Sequence, residues 1–595
     1  MKARIGIRPI IDGRWGGVRE ALEEQTMKMA KNAKKLIEEN IRYADGTPAE
    51  VVISPCTIGG GKEAAVCEDF FATQNVVATL SVTPCWCYGS ETMDLNPLTI
   101  KAVWGLNATE RPGAVYLAAV MAAHNQRNLP AFAIYGKDVQ EANDYKIPED
   151  VKEKILRFSR CALAVGQMRN KAYVALGSVC MGIGGSFLDP QFMQDYFGIR
   201  AEWVDMIEII RRVEKDIYDK DEFEKALSWA KKYCKIDRDR NLKEWESTLE
   251  VADTKEEQQK KFEFTVKMTL IIRDIMLGND NLNDIGWHEE ALGRNAIAGG
   301  FQGQRQWTDF MPNADFSESI LNTTFDWNGN REPFILATEN DVLNGMSMLL
   351  MKLITGRAAV FSDVRTYWSP DALERVSGYK PTGKAKNGFM HLINSGASAL
   401  DGNGCAKDSL GNPVMKSWWD VTEKDQKEML TNTLWAPSNK GYFRGGGFSS
   451  KFSTDVEMPV TMIRINMIGN MPTLQIAEGW TVNIPKEVTL QLWERTDPTW
   501  PCTWFAPRIN ENDNAFKSVY DVMANWGANH GAWTYGHLGK DLITLASMLR
   551  IPVSMHNVED KDIYRPHAWS GFGTKDLEGA DFRACNQYGP IYGKR

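Results

Sequence analysis

The sequence has 595 residues, which is too long for a single hydrophobic core, so we expect two to four domains. Apolar residues make up 43% and charged residues 25% of the chain, ordinary values that exclude a disordered or fibrous protein. The formal net charge of −8 is mild for this length and argues against nucleic-acid binding, which requires a clustered basic face.

Membrane insertion and export are also disfavoured. The strongest apolar stretch, 345–353, is about half of the roughly 18 to 20 residues that cross a bilayer, and it contains Lys352. The first ten residues alternate polar and apolar types like a strand and lack the apolar stretch and cleavage site of a secretory signal. We therefore expect a cytoplasmic protein with reduced cysteines.

The first part of the chain predicts alternating strands and helices. The predicted strands are apolar runs, and the predicted helices carry apolar residues near helical spacing. In chain order they are a strand at 4–9, a helix at 18–39, a strand at 51–55, a helix at 62–73, a strand at 76–83, a helix at 113–127 and a strand at 131–135. This alternation predicts a parallel sheet covered on both faces.

The pattern starts again at residue 172 with a strand and the glycine-rich turn 181–186. A heavily charged stretch at 211–261 includes interspersed apolar residues, which predicts solvated helix faces. After about residue 357, alternating runs at 459–468 and 473–485 predict antiparallel strands.

The predicted fold class is α/β, with two N-terminal α/β/α parallel-sheet domains followed by a β-rich, barrel-like C-terminal domain. We place the first domain at 1–172, the second at 173–355 and the third at 356–595.

Several short motifs carry little chemistry. Glu63 stands where a Walker loop after 59–62 needs Ser or Thr, and the turn 182–185 lacks the spacing of a dinucleotide-binding fingerprint. Cys85 and Cys87 form a weak metal or redox signal, because two side chains of an extended CxC segment lie too far apart to share a ligand and converge only in a turn.

Two acids and one histidine stand out by their context. Glu339 interrupts an apolar run before a helix, and Asp363 ends the apolar strand AAVFSDV. His530 lies among glycines and aromatic residues that can wall a polar pocket. Each also has a structural interpretation, as a helix-start acid, a turn residue and a loop histidine. Because ligands bind beyond the carboxyl ends of α/β strands, the two acids predict a site for Mn²⁺ or Mg²⁺ with His530 as a further ligand.

Longer segments carry a resemblance to a known family. ATEND at 337–341, FSDVR at 361–365 and NHGAWTYGHLG at 529–539 resemble the three metal-site segments of L-fucose isomerases. The segments GIRPIIDGRWGGVRE, TPCWCYGSETMD and LGSVCMGIGGS also resemble that family, and the similarity runs along the whole chain.

The resemblance implies a site, a cofactor and an assembly. It implies Mn²⁺ bound by Glu339, Asp363 and His530, with the two acids also acting as catalytic acid and base. It implies two N-terminal α/β domains, a C-terminal domain with a β-barrel core, and a homohexamer in which a neighbouring N-terminal domain closes the pocket. The implied substrate-binding residues are Arg14, Trp86, Gln302, Ser395 and Asn529.

The expected activity is aldose–ketose isomerisation of L-fucose to L-fuculose, and of D-arabinose to D-ribulose, by metal-assisted proton transfer through an enediol. D-arabinose as the main substrate is the nearest alternative, since it lacks only the terminal methyl group. A non-catalytic sugar-binding protein and a metal-dependent hydrolase or aldolase are the other classes. Which acid acts on which carbon stays open.

Overall fold

The first part of the chain folds around a parallel sheet, as the sequence predicts. The computed structural model describes residues 1–141, 144, 146–236, 253–404, 406–497 and 500–593. The strands of the first sheet lie in the order β2-β1-β3-β4-β5 and are all parallel. They are β1 (Arg4–Pro9), β2 (Val51–Ile53), β3 (Val76–Thr83), β4 (Ile100–Gly105) and β5 (Ala131–Ile134).

Helices cover this sheet in two groups. Helices α1 and α5 pack against each other, and α3 packs against both α2 and α4. The helices are α1 (Glu23–Asn40), α2 (Gly61–Thr73), α3 (Gly89–Thr92), α4 (Gly113–Gln126) and α5 (Glu149–Met168). The sequence patterns did not predict α5, whose buried face lies against β3 and β1 in the core.

A second parallel sheet follows, in the order β11-β8-β6-β7. Its strands are β6 (Ala172–Leu176), β7 (Arg200–Val204), β8 (Ala296–Phe301) and β11 (Leu336–Ala337), and β9 (Phe325–Asp326) and β10 (Gly329–Asn330) form a separate hairpin. The helices are α6 (Pro190–Phe192), α7 (Ile207–Glu214), α8 (Lys220–Tyr233), α9 (Lys255–Leu277), α10 (Asn281–Asp284), α11 (His288–Ala291), α12 (Trp307–Phe310), α13 (Asp315–Asn322) and α14 (Val342–Thr355). The part of the predicted charged helical stretch at 237–252 lies outside the described residues.

The last part of the chain forms a closed antiparallel barrel. Its six strands follow one another in the order β16-β19-β12-β13-β18-β17, and β17 pairs again with β16, which closes the ring. The strands are β12 (Val360–Trp368), β13 (Phe389–Ile393), β16 (Pro459–Ile468), β17 (Met471–Thr481), β18 (Cys502–Pro507) and β19 (His530–Tyr535). The predicted fold class, two parallel-sheet domains and a barrel-like domain, is confirmed.

Further elements surround the barrel. Strand β20 (Val553–Met555) extends it in parallel beside β17, and β14 (Leu434–Pro437) pairs with β15 (Phe448–Lys451) as a hairpin. The helices are α15 (Pro370–Ser377), α16 (Glu423–Asn432), α17 (Lys486–Trp493), α18 (Val519–Asn525), α19 (Gly539–Leu549) and α20 (Leu577–Tyr588).

Helix α14 joins the three parts of the molecule. It contacts β8 and β11 of the second sheet, β12, β16 and β19 of the barrel, and α5 of the first part. Every residue from Val342 to Ile354 is buried, so no face of the helix meets water. Apolar side chains therefore occur on every side of the helix. Its single charge, Lys352, pairs with Glu332 at 2.7 Å. The strongest apolar run of the sequence is therefore a central core helix, and no helix among the described residues is long and apolar enough to cross a bilayer.

Shortening one side chain of α14 tests its role in the core. Leu349 is fully buried, so Leu349→Ala leaves a cavity and is expected to lower the free energy of unfolding by about 2 to 5 kcal/mol. Urea unfolding followed by tryptophan fluorescence measures the change. The matched control, Leu410→Ala, removes the same atoms from a side chain that is 85% exposed and should change the stability by less than about 0.5 kcal/mol. Equal effects of the two substitutions would contradict the central position of α14.

Candidate active site

Three elements bring the predicted metal ligands together. Glu339 lies in the short turn Thr338–Asn340 between β11 and α14, at the carboxyl end of a parallel strand, as predicted. His530 is the first residue of β19, and Asp363 lies directly opposite it on the neighbouring strand β12. The prediction that Asp363 ends its strand is wrong, because β12 continues through the alternating residues that follow to Trp368. Asp363 therefore reaches the site through antiparallel barrel pairing.

The three side chains meet at one nitrogen of the imidazole. Nε2 of His530 lies 3.3 Å from Oε2 of Glu339 and 3.3 Å from Oδ1 of Asp363. His530 is 1% exposed, whereas the side chain of Asp363 is 30% exposed, so the cluster is buried on one side and open on the other. The site thus presents one imidazole nitrogen and two carboxylates toward a solvent-accessible position.

The donors of this arrangement, and the two separations at Nε2, suit a divalent metal. Adjacent ligands of an octahedral ion with bonds of about 2.1 to 2.3 Å lie about 3.0 to 3.3 Å apart, which matches both separations at Nε2. Carboxylate oxygens with one imidazole suit Mn²⁺ or Mg²⁺. Among the described residues, no group of three or more His, Cys, Asp or Glu side chains is arranged to hold a metal ion as it stands. Metal binding here would therefore require the side chains of Glu339, Asp363 and His530 to adjust around the ion.

A fourth residue, Asp341, holds the other side of His530. Its Oδ2 lies 2.6 Å from Nδ1 of His530 and 2.6 Å from Nη1 of Arg464, and its carboxylate is completely buried. Burial favours the neutral acid, but the Arg464 cation and the hydrogen bond from His530 outweigh it and lower the pKa of Asp341 below its usual range. Burial disfavours the charged imidazole, but the bonds to Asp341, Asp363 and Glu339 outweigh it and raise the pKa of His530 well above its usual value.

Asp341 was not among the predicted functional residues, although a signal for it is present in the sequence. Asp341 directly precedes the apolar residues of α14, and its side chain accepts a hydrogen bond from the backbone N–H of Asn344 at 3.0 Å. Such an aspartate is expected as a helix N-cap, which gives it a sufficient local explanation. Nothing in the local pattern indicates the contacts to Arg464 and His530, more than a hundred residues away along the chain.

The backbone that carries Glu339 is strained. Glu339 has φ 56° and ψ 21°, and Asn340 has φ 47°, both in the left-handed region that side chains rarely adopt. The surrounding structure holds this turn, since Ser186 donates a hydrogen bond of 2.9 Å to the carbonyl of Glu339 and Asn340 donates one of 3.2 Å to the carbonyl of Ser178. The turn is thus fixed by the loop that follows β6.

A buried acid lies behind the same turn. Glu318 on α13 accepts a hydrogen bond from Thr338, and burial raises its pKa to about 8, an effect that the Thr338 bond opposes and the charge of Glu339 reinforces. Glu318 is therefore mostly neutral at pH 7 and adds little negative charge beside Glu339. Glu318 was not among the predicted site residues, because an acid within a helix is ordinarily solvent-exposed.

Three of the predicted substrate-binding residues are linked to the cluster. Nδ2 of Asn529 lies 3.0 Å from Nε2 of His530. Gln302, just beyond β8, accepts a hydrogen bond of 2.8 Å from the backbone of Ser178, the residue whose carbonyl Asn340 contacts. Ser395, just beyond β13, donates its backbone N–H to Asn394, whose amide donates to Thr338 at 3.0 Å. Each therefore reaches the Glu339 turn or His530 either directly or through one intermediate residue.

The other two lie in the first part of the chain. Arg14 and Trp86 follow the parallel neighbours β1 and β3, so they share the carboxyl edge of the first sheet. The side chain of Arg14 is 58% exposed and pairs with Asp12, and Trp86 packs partly buried against the local core. None of the contacts described for these two side chains joins them to Glu339, Asp363 or His530. The structure of one chain does not bring them to the metal ligands.

Cys85 and Cys87 beside Trp86 do converge. Their sulfurs lie 3.8 Å apart, and the hydroxyl of Thr83 lies 3.1 Å from the sulfur of Cys87. The two residues follow the end of β3, so the chain is free to turn there as convergence requires. Both thiols are buried.

The chain matches one family along nearly its whole length. Models described as the first N-terminal, second N-terminal and C-terminal domains of L-fucose isomerase match residues 2–170, 171–356 and 392–556. An L-fucose isomerase of Bacteroides thetaiotaomicron is 58% identical over 590 residues, and those of Streptococcus pneumoniae strain CGSP14 and Bacteroides fragilis strain YCH46 are 59% identical. Each alignment covers 99% of both chains. The chain belongs to the L-fucose isomerase family. The resemblance found in the sequence is confirmed, and membership makes the protein an enzyme of the aldose–ketose isomerase class.

A pair of substitutions tests the strain at Glu339. Glycine adopts the left-handed region freely, whereas alanine there costs about 1 to 2 kcal/mol, so Glu339→Gly should be more stable than Glu339→Ala by about that amount. Urea unfolding in metal-free buffer measures the difference.

The same pair at Asp363 is the control. Asp363 lies in extended β12, where glycine is less favourable than alanine by about 0.5 to 1 kcal/mol, so the order of the two variants should reverse. The same order at both positions would contradict a left-handed Glu339.

Proposed function

We propose that the protein converts L-fucose to L-fuculose, and D-arabinose to D-ribulose, by proton transfer between neighbouring carbons through an enediol. The observation that supports it is the convergence of two carboxylates on Nε2 of His530, in a member of the L-fucose isomerase family. The open side of the cluster leaves space for the oxygens of a sugar. The paired acids favour catalysis over simple sugar binding, which needs neither acid.

Glu339 and Asp363 are the proposed catalytic acid and base. A proton on a carbon beside a carbonyl is weakly acidic, so a carboxylate must lie within hydrogen-bond reach of it and the developing negative charge must be stabilised. Mn²⁺ held by Glu339, Asp363 and His530 would act as the Lewis acid toward the two substrate oxygens. The two carboxylates approach Nε2 of His530 from a turn and from a strand, and can take the proton from one carbon and return it to the next.

The remaining proposed contacts suit a polyol with an apolar end. Gln302, Ser395 and Asn529 supply hydrogen-bonding groups close to the acids, and Arg14 supplies a cation with five donors. Trp86 can pack on an apolar sugar face or on the methyl group of L-fucose. One methyl group contributes only about 1 to 3 kcal/mol in such a pocket, so D-arabinose is expected to react as well.

We also propose a cytoplasmic homohexamer in which subunits share active sites. Arg14 and Trp86 share one edge of the first sheet, and neighbouring Trp15 is 71% exposed. A symmetric oligomer places such an edge over a neighbour's metal ligands at every site at once. The nine cysteines among the described residues are all free thiols, which suits a reducing compartment.

The first test of this function is metal removal combined with product analysis. Exhaustive chelation should abolish conversion of L-fucose, and Mn²⁺ should restore it better than Zn²⁺, because the proposed ligand set has oxygens and open positions instead of thiolates. Chromatography of the products identifies L-fuculose, or cleavage products if the enzyme is an aldolase or hydrolase. Full activity of metal-free protein would exclude the metal-assisted mechanism.

A matched variant separates proton transfer from metal binding. Glu339→Gln keeps the shape of the side chain and one ligand oxygen but removes the base, so we expect at least a 100-fold loss of turnover, of the order of general acid–base catalysis. Near-normal turnover with Mn²⁺ still bound would show that Glu339 is not the acid or base.

Mixing two inactive variants tests the shared site. Arg14→Ala and His530→Ala proteins should each be nearly inactive. After joint unfolding and refolding, random assembly gives about a quarter of the sites an intact Arg14 from one chain and an intact His530 from another. Activity recovered to about that fraction supports sharing, measured against each variant refolded alone. Mixed oligomers that stay as inactive as their parents would place the whole site within one chain.

A further inference from the structure

We propose that Asp341 is a positioning residue, anchored by Arg464, that fixes the ring orientation and tautomer of His530 so that the lone pair of Nε2 faces Glu339 and Asp363. This inference rests on the proposed metal site. It assigns a role to a carboxylate that is neither a proposed ligand nor a proposed catalytic acid. Metal-binding histidines commonly donate their second ring N–H to such a partner.

The contacts of Asp341 leave its carboxylate one orientation. Oδ1 accepts the backbone N–H of Asn344 at 3.0 Å, and Oδ2 accepts from Nη1 of Arg464 and faces Nδ1 of His530, both at 2.6 Å. Asp341 is completely buried, and Arg464 is 2% exposed. A carboxylate tied at both oxygens inside the protein cannot rotate without leaving Arg464 or the helix end unpaired.

This orientation selects the tautomer of the histidine. The Asp341 carboxylate, paired with the Arg464 cation, accepts a hydrogen bond from Nδ1 of His530, so Nδ1 keeps its proton when Nε2 gives up its own proton to bind a metal. The lone pair then lies on Nε2, which points at Glu339 and Asp363.

The ring is also fixed from its sides. The ring of Phe361 lies 4.7 Å from the imidazole, centre to centre, and the indole N–H of Trp526 donates to the carbonyl of His530 at 3.0 Å. Gly185 leaves room for the anchor, because a Cβ there would come 2.4 Å from Oδ1 of Asp341 and 2.5 Å from Nη2 of Arg464. The loop after β6, the start of α14 and two barrel strands therefore all meet at this carboxylate.

Asp341→Asn is the test variant. Asparagine is as good an N-cap as aspartate, so α14 keeps its capping bond. If the amide oxygen of the asparagine caps the helix, its NH₂ group faces Arg464 and Nδ1 of His530. An N–H on Nδ1 would then point at another donor, so the ring must carry its proton on Nε2 instead. We expect the Mn²⁺ affinity to fall about 10- to 100-fold, the usual effect of losing such a partner.

The measurement is Mn²⁺ binding to the full-length protein, stripped with chelator and titrated while the EPR signal of free Mn²⁺ is followed. Asp219→Asn is the matched control, because Asp219 caps α8 through Glu222 and its substitution should leave the affinity unchanged. Gly185→Ala is a second test variant that keeps every charge but crowds Asp341 and Arg464, and it should also weaken Mn²⁺ binding. It keeps the inference testable if Asp341→Asn fails to fold.

The outcomes separate this inference from the proposed function. The His530→Ala protein should lose the Mn²⁺ site. The Asp341→Asn protein should regain most of the wild-type turnover at saturating Mn²⁺, with the KM for sugar unchanged. Mn²⁺ affinity of Asp341→Asn within about twofold of the wild type would overturn the role of Asp341 and leave the proposed function intact. Equal Mn²⁺ binding by the wild type and His530→Ala would overturn the metal site and, with it, this inference.

Discussion

A carboxylate that is completely buried needs a counter-charge, and Asp341 meets this need with Arg464 on one side and His530 on the other. Asp341 begins the central helix, and its two partners lie on the barrel strands β16 and β19. The ion pair therefore joins the second parallel sheet to the barrel at the position where Glu339 and His530 approach each other. The same charge thus lies both at the contact between the two parts and beside the candidate site.

The strained turn at Glu339 depends on the same docking. A left-handed glutamate followed by a left-handed asparagine is unfavourable in an isolated chain and persists where the surroundings hold it. Here the loop after β6 binds the backbone of Glu339 through Ser186, and α14 begins two residues later at its aspartate cap. The cost of the turn is offset by the burial of α14 among three parts of the molecule. The same short segment thus contains both the strained turn and the start of the buried helix.

The polar groups around the turn act together. Neutral Glu318 lies beneath Thr338, and Asn394 ties Thr338 to the segment that carries Ser395. Each group restrains a residue next to a proposed ligand or substrate contact, so the preorganisation of the site lies mostly in residues that touch no substrate. Arg14 and Trp86 lie at a separate place, the carboxyl edge of the first sheet.

Local sequence patterns determined much of this protein. Alternating apolar strands and helices indicated the parallel sheets, the runs at 459–468 and 473–485 indicated antiparallel strands, and the segments around Glu339, Asp363 and His530 identified the family. These features are encoded locally, because strand and helix periodicity and short motifs involve neighbouring residues. Only the tertiary structure placed Asp363 opposite His530 across a barrel, turned Glu339 into a left-handed conformation and gave Asp341 a second role beyond helix capping. Those features depend on contacts between residues more than a hundred positions apart, which no local periodicity records.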